Sequence, residues 1–218
     1  MNERFKLIKP YIEDKDVLDV GCCDWCEQLI RGKNMHYEIA EGWLHGNIKK
    51  YAKNALCIDI SKECIEFLKD KGYNAKVANA ESFDLNQKFD VIVAGELIEH
   101  LSNFQGFFNS AKKHLREDGL LILTTPNVFY FKEALFLILR GYPSVNPDHT
   151  CWFDEITLRQ LLDRFGFSVV KLLYITEKRT TGYEKLKESP FTFRLFEKLI
   201  PFKKIKYGTI IVVAKSKK

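Results

Sequence analysis

The chain has 218 residues, 46% of them apolar, and its 34 lysines and arginines exceed its 29 acids by only five charges. That length suits one domain with a full core, and so mild a charge does not demand nucleic acid as a partner. The longest apolar run, residues 134–139, falls far short of the roughly 18–20 needed to span a bilayer. Six cysteines without a charged-then-apolar leader point to reduced thiols in a cytoplasm.

In chain order, DVLDV (16–20) reads as a buried strand, and WLHGNIKKYA (43–52) as a helix. ALCID (55–59) is a second strand, followed by a helix that Ser61 can cap and that ends near Gly72. NAKVA (74–78) and FDVIVA (89–94) are further strands. Phe104, Phe107, Phe108, Ala111 and Leu115 recur at helical spacing behind Ser102 and Asn103 as caps. GLLILT (119–124), SVVKLLYI (168–175) and YGTIIVVA (207–214) complete seven strands, with a helix opened by Asp154 before the sixth. This alternation predicts a parallel sheet with helices on both faces, and no repeat or linker divides it. Residues 126–153 and 176–206, aromatic and in part basic, do not fit the alternation and are expected to shape an acceptor site.

In such sheets ligands bind beyond the carboxyl ends of the strands, where strand order reverses. VLDVG is such an end. Gly21 permits a sharp turn and close approach, and a helix start beyond it favours an anionic group. Asp59 ends the second strand, where a carboxylate can accept from two ribose hydroxyls. Asn79 ends the third and suits a purine edge.

With VLDVGC, CIDIS, ANAESFDL, FDVIVAGELIEHLSN, LREDGLLILTTPN and HTCWFDEITLRQLLDRFGF in order, residues 16–175 strongly resemble the class I S-adenosylmethionine-dependent methyltransferases. The likeness is nearest to the ubiquinone-biosynthesis O-methyltransferase-like branch. It implies a Rossmann-like α/β fold: one domain over 1–218, a seven-stranded, mostly parallel sheet with helices on both faces and the last strand antiparallel. It implies S-adenosylmethionine as cofactor, with Asp19 and Gly21 holding its methionine part and Asp59 its ribose. Asn79, Ala80 and Glu81 would hold the adenine, and Gly95 and Glu96 would floor the methionine end. Cys22 and Ile60, next to Gly21 and Asp59, complete the expected set. Cys23 and Trp25 stand where the family places further glycines.

Cys23-Asp24-Trp25-Cys26 has redox spacing, and a helix start lowers a thiol pKa. A zinc reading of this motif lacks a second Cys or His pair at matching spacing. The expectation is therefore that the thiols line the cofactor cradle, with no resident metal.

Glu96, Glu99 and His100 follow the fourth strand, at spacings that place them together on a helical turn, and a folded loop could bring His149 to the same mouth. Methyl transfer to a hydroxyl needs an aligned acceptor and a proton acceptor, which His100 or His149 can supply with Glu99 beside them. The expected acceptor is a small-molecule, glycan or lipid-linked hydroxyl in preference to nucleic acid, and it is compatible with a peripheral membrane contact. Two rivals remain. The small-RNA 3′-terminal ribose 2′-O-methyltransferases use a similar Glu-x-x-Glu-His pattern and a later His to hold a divalent ion, a role open to Glu96, Glu99, His100 and His149. A cofactor-binding scaffold without activity is the other.

Overall fold

The computed structural model describes residues 3–23, 43–142, 146–176 and 202–217. Cys26, the second cysteine of the Cys-x-x-Cys motif, and Trp25 lie outside the described residues, as does most of the segment 176–206.

The chain opens with a helix, α1 (Glu3–Ile12), that buries Phe5, Ile8 and Ile12 along one side. Pro10 and the interspersed charges hide this periodicity in the sequence. Next come β1 (Asp16–Val20), α2 (Leu44–Tyr51), β2 (Asn54–Asp59), α3 (Lys62–Asp70), β3 (Ala75–Val77) and β4 (Phe89–Gly95). A short 3-10 turn (Ile98–His100) leads to α4 (Phe104–His114), β5 (Leu115–Pro126) and α5 (Phe131–Arg140). α6 (Glu155–Arg164), β6 (Phe167–Ile175), a 3-10 turn (Lys203–Lys206) and β7 (Thr209–Ser216) complete it.

The expected caps hold the helix starts. Ser61 Oγ accepts from the Cys64 N–H, Asn103 Oδ1 accepts from Gly106 N–H, and Asp154 forms a reciprocal capping box with Thr157. Leu115, expected on the apolar face of α4, instead begins β5, which starts four residues earlier than the apolar run GLLILT suggested.

The seven strands form one sheet in the order β3-β2-β1-β4-β5-β7-β6. β1 through β5 pair in parallel, while β7 runs antiparallel to both β5 and β6, between them. The period of two along each strand sorts the core into layers. Leu18, Ile92, Leu121 and Val212 face a layer shared with α4 and α6. Val17, Val91, Ile122 and Val213 face the opposite layer, which α1 and α2 cover with Phe5, Ile8 and Ile48. Strand order reverses between β1 and β4, so their carboxyl ends border the crevice in which this architecture binds ligands.

Candidate active site

Gly21 follows β1 with φ +78°, and a Cβ there would lie 2.8 Å from Leu97 Cδ1. The left-handed conformation favours glycine, and a Cβ would force Leu97 to shift. Beyond it the backbone turns toward β2. Asp59 Oδ2 accepts from the Cys23 N–H and Oδ1 from the Ser61 N–H, both at 2.9 Å. A carboxylate has about four lone-pair sites, so two remain for a diol beyond the strand ends. Ile60 next to it is 71% exposed, an apolar surface suited to an aromatic ring face. These three features fit a nucleoside-bearing cofactor. Asn79 Oδ1 accepts from the Glu81 N–H and closes the turn after β3, with Ala80 packed on the core below.

Glu81 reaches across to the fourth strand's loop. Its Oε1 accepts from the backbone N–H groups of Ser102 (2.6 Å) and Asn103 (2.7 Å), and these hold its carboxyl below the usual range. Glu81 thus ties the turn after β3 to the start of α4.

Asp19 lies one layer down. It is 2% exposed, and its Oδ2 meets His45 Nδ1 at 3.1 Å. Burial opposes a charge on His45, but the hydrogen bond to Asp19 and the nearness of Cys57 outweigh it and raise its pKa to about 9. Cys57 in turn is lowered to about 6, first by its contact with Cys22, against burial, and then by His45, while Cys22 is pushed upward. The His45 ring thus lies between Asp19 and Cys57 beneath the cradle, where its neighbours favour the protonated form against burial. Trp43 Nε1 donates to the Cys22 carbonyl at 2.9 Å and pins the loop from the same side.

Neither His45 nor Trp43 was singled out for the site from sequence. Both lie in α2 or at its start, more than twenty residues from Gly21, and only the fold returns them to β1. Arg4 of α1 was missed likewise. Its Nη2 lies 3.8 Å from Glu96 Oε1, and its side chain flanks Gly95, where a Cβ would also strike Leu44 at 2.7 Å. In the sequence Arg4 looks like any solvated helix cation.

The mouth differs from the expected arrangement, in which Glu96, Glu99 and His100 share one helical turn and His149 joins them from a loop. Glu96 follows β4 with φ +51°, outside the 3-10 turn, and its Oε1 accepts from Thr124 Oγ1 at 3.1 Å. Glu99, His100 and His149 do come together, each with a ligand-type atom within 4.8 Å of the others. The two imidazole rings meet edge to face at 4.7 Å. Glu99 is 1% exposed, and its Oε2 accepts from Thr125 Oγ1 at 2.9 Å. Its backbone carbonyl receives the Thr150 N–H at 2.8 Å, and Thr150 Oγ1 donates to Leu101 O at 2.7 Å, so the loop carrying His149 is zipped onto the turn carrying His100. His100 Nδ1 lies 3.2 Å from the Asp148 carbonyl, which can only accept. The neutral ring therefore carries its proton on Nδ1 and presents a lone pair at Nε2.

A seven-stranded, mostly parallel sheet with this order, a left-handed glycine after β1 and an acid at the end of β2 is the arrangement of the Rossmann-like methyltransferase class of domain. A family model described as a methyltransferase domain matches residues 5–172, and the chain belongs to that family. A probable S-adenosylmethionine-dependent methyltransferase of Mycobacterium tuberculosis is 25% identical over 75% of this chain and 52% of its own length. A ubiquinone biosynthesis O-methyltransferase of Bartonella quintana is 25% identical over 75% of this chain and 64% of its own. The chain thus spans between half and two-thirds of these curated relatives. Among solved structures, an S-adenosylmethionine-dependent methyltransferase from Archaeoglobus fulgidus superposes with a TM-score of 0.61 at 19% identity, over 98% of this chain and 91% of that one. No helix among the described residues is long and apolar enough to cross a membrane.

Proposed function

We propose that this protein binds S-adenosylmethionine in the cradle after β1 and β2 and transfers its methyl group to a hydroxyl of a small-molecule, glycan or lipid-linked acceptor. The observation that carries the cofactor half is Asp59, whose carboxylate is fixed by two backbone N–H groups beside Gly21 and the exposed Ile60. When bound, the cofactor supplies the electrophilic methyl; the chain's own residues bind, align and move a proton. Ile60 lies against the adenine, whose edge the turn 79–81 meets, and Asp59 takes the ribose hydroxyls. Gly21, Cys22, Gly95 and Glu96 border the methionine end, and Asp19 supports it from below. At the mouth, His100 Nε2 accepts the acceptor's proton, and His149 and Glu99 position it.

The acceptor's class rests on the O-methyltransferase relatives and on the proton acceptor at the mouth. Segment 126–153 shapes its binding site in this reading. Calorimetry with S-adenosylmethionine tests the first half. Asp59→Ala removes charge-assisted hydrogen bonds worth roughly 1.5–3 kcal/mol each, so affinity should fall at least tenfold. Wild-type affinity in that variant would refute the ribose assignment.

One observation favours a second reading, in which Glu99, His100 and His149 hold a divalent ion that polarises a ribose hydroxyl at an RNA end: their donor atoms already lie within 4.8 Å of one another. A chelator separates the two. Base-assisted transfer to a small or lipid-linked acceptor should proceed at nearly the same rate, with no activity on RNA. Turnover on a 3′-terminal ribose that a chelator abolishes and manganese restores would favour the ion.

A further inference from the structure

Neighbouring residues in extended chain point to opposite sides. Cys22 and Cys23 do not. After the left-handed turn at Gly21 both side chains are buried, and their sulfurs lie 3.8 Å apart. Asp59 completes a set of three donor atoms that all lie within 4.8 Å of one another. Zinc-type cations bind thiolate sulfur at about 2.3 Å, and a tetrahedral angle then places two such sulfurs about 3.8 Å apart. One edge of the tetrahedron is already in place.

The surroundings brace that edge as second-layer contacts brace metal ligands. Asp59 is oriented by the Cys23 and Ser61 N–H groups, and Trp43 holds the Cys22 carbonyl. Thiolate and carboxylate donors together suit a thiophilic, borderline-soft ion rather than magnesium or calcium. Three protein ligands also leave a fourth position for water.

We propose that Cys22, Cys23 and Asp59 form a site for a divalent zinc-type cation, and that this ion and the nucleoside cofactor exclude each other. The exclusion rests on the reading of Asp59 as the ribose ligand, since one carboxylate cannot serve both. Binding replaces the two thiol protons, which leave to solvent, with the ion, and involves no oxidation.

Cobalt(II) is the spectroscopic probe, added to the reduced full chain without air. The expected result is a thiolate-to-cobalt charge-transfer band that saturates at one equivalent and is displaced by zinc. Cys22→Ala and Cys23→Ser should each remove most of the band, whereas the double variant His100→Ala, His149→Ala should keep it. Circular dichroism checks that each variant is folded. In wild type, zinc at about ten times its own Kd should weaken S-adenosylmethionine binding about tenfold by mass action. In Cys23→Ser the cofactor affinity, whatever its value, should no longer depend on zinc. No band in wild type, a band that survives both cysteine changes, or zinc and cofactor bound together would overturn the proposal. Failure of the cofactor reading looks different: metal-free protein binds no S-adenosylmethionine while the cobalt band persists, which supports the ion site and removes only the exclusion.

Discussion

Asp19 and His45 show how much one buried pair can decide. His45 is 1% exposed, and burial disfavours its charge, which Asp19 at Nδ1 and, after it, Cys57 favour. Its folded pKa, raised to about 9 from an ordinary 6.5, makes its contribution to stability fully present below pH 6.5 and lost as pH rises through 9. Nuclear magnetic resonance of the ring should find this titration near pH 9. In Asp19→Asn it should fall to 6.5 or below, with a loss of about 3 kcal/mol, because the remaining group is still desolvated. A wild-type ring that titrates at 6.5 would remove the pair from this account. Asp19 itself was legible from the sequence as an acid at a strand end. Its partner was not, since a histidine twenty-six residues away carries no mark of the contact.

At the scale of elements, the turn after β3 and the start of α4 are fitted together without slack. A Cβ on Gly106 would stand 2.1 Å from the Glu81 carbonyl, while Glu81 Oε1 receives the N–H groups at 102 and 103. Gly106→Ala should therefore destabilise by at least the 1–3 kcal/mol usual for overpacking, and should weaken S-adenosylmethionine binding because the turn 79–81 must shift. Urea unfolding and calorimetry on the same preparation check both; unchanged stability would mean that α4 slides without cost. The strands and most caps were readable from sequence, because continuous apolar runs and Ser, Asn or Asp before a helix are local signals. Three kinds of feature were not local. Pro10 and scattered charges masked α1, the helix-like spacing of Glu96, Glu99 and His100 hid the left-handed backbone at Glu96 that sets it apart from the turn, and Gly106 looks like an ordinary helix glycine until Glu81 is placed against it.

Over the whole molecule, protection should follow position in the sheet. β4 and β5 lie in its middle and are covered on both faces, whereas β3 is a three-residue edge strand with Lys76 and Val77 exposed. Amide hydrogen exchange should be slowest in β1, β4 and β5 and fastest in β3. Equal protection in β3 would imply cover from outside the described residues. The position of β7, between β5 and β6, also sets an order on synthesis. The cradle-bearing half, β1 to β4, consists of strands already made by residue 95, and its pairing needs nothing further along the chain. β6 pairs only with β7 among the described strands, so it has no seat until residues 209–216 leave the ribosome. A nascent chain paused before that point holds an apolar strand in waiting and an open edge on β5. Such a chain exposes the kind of apolar strand and open edge that chaperones shield, and its β1–β4 half should be folded before its β5–β7 half can be.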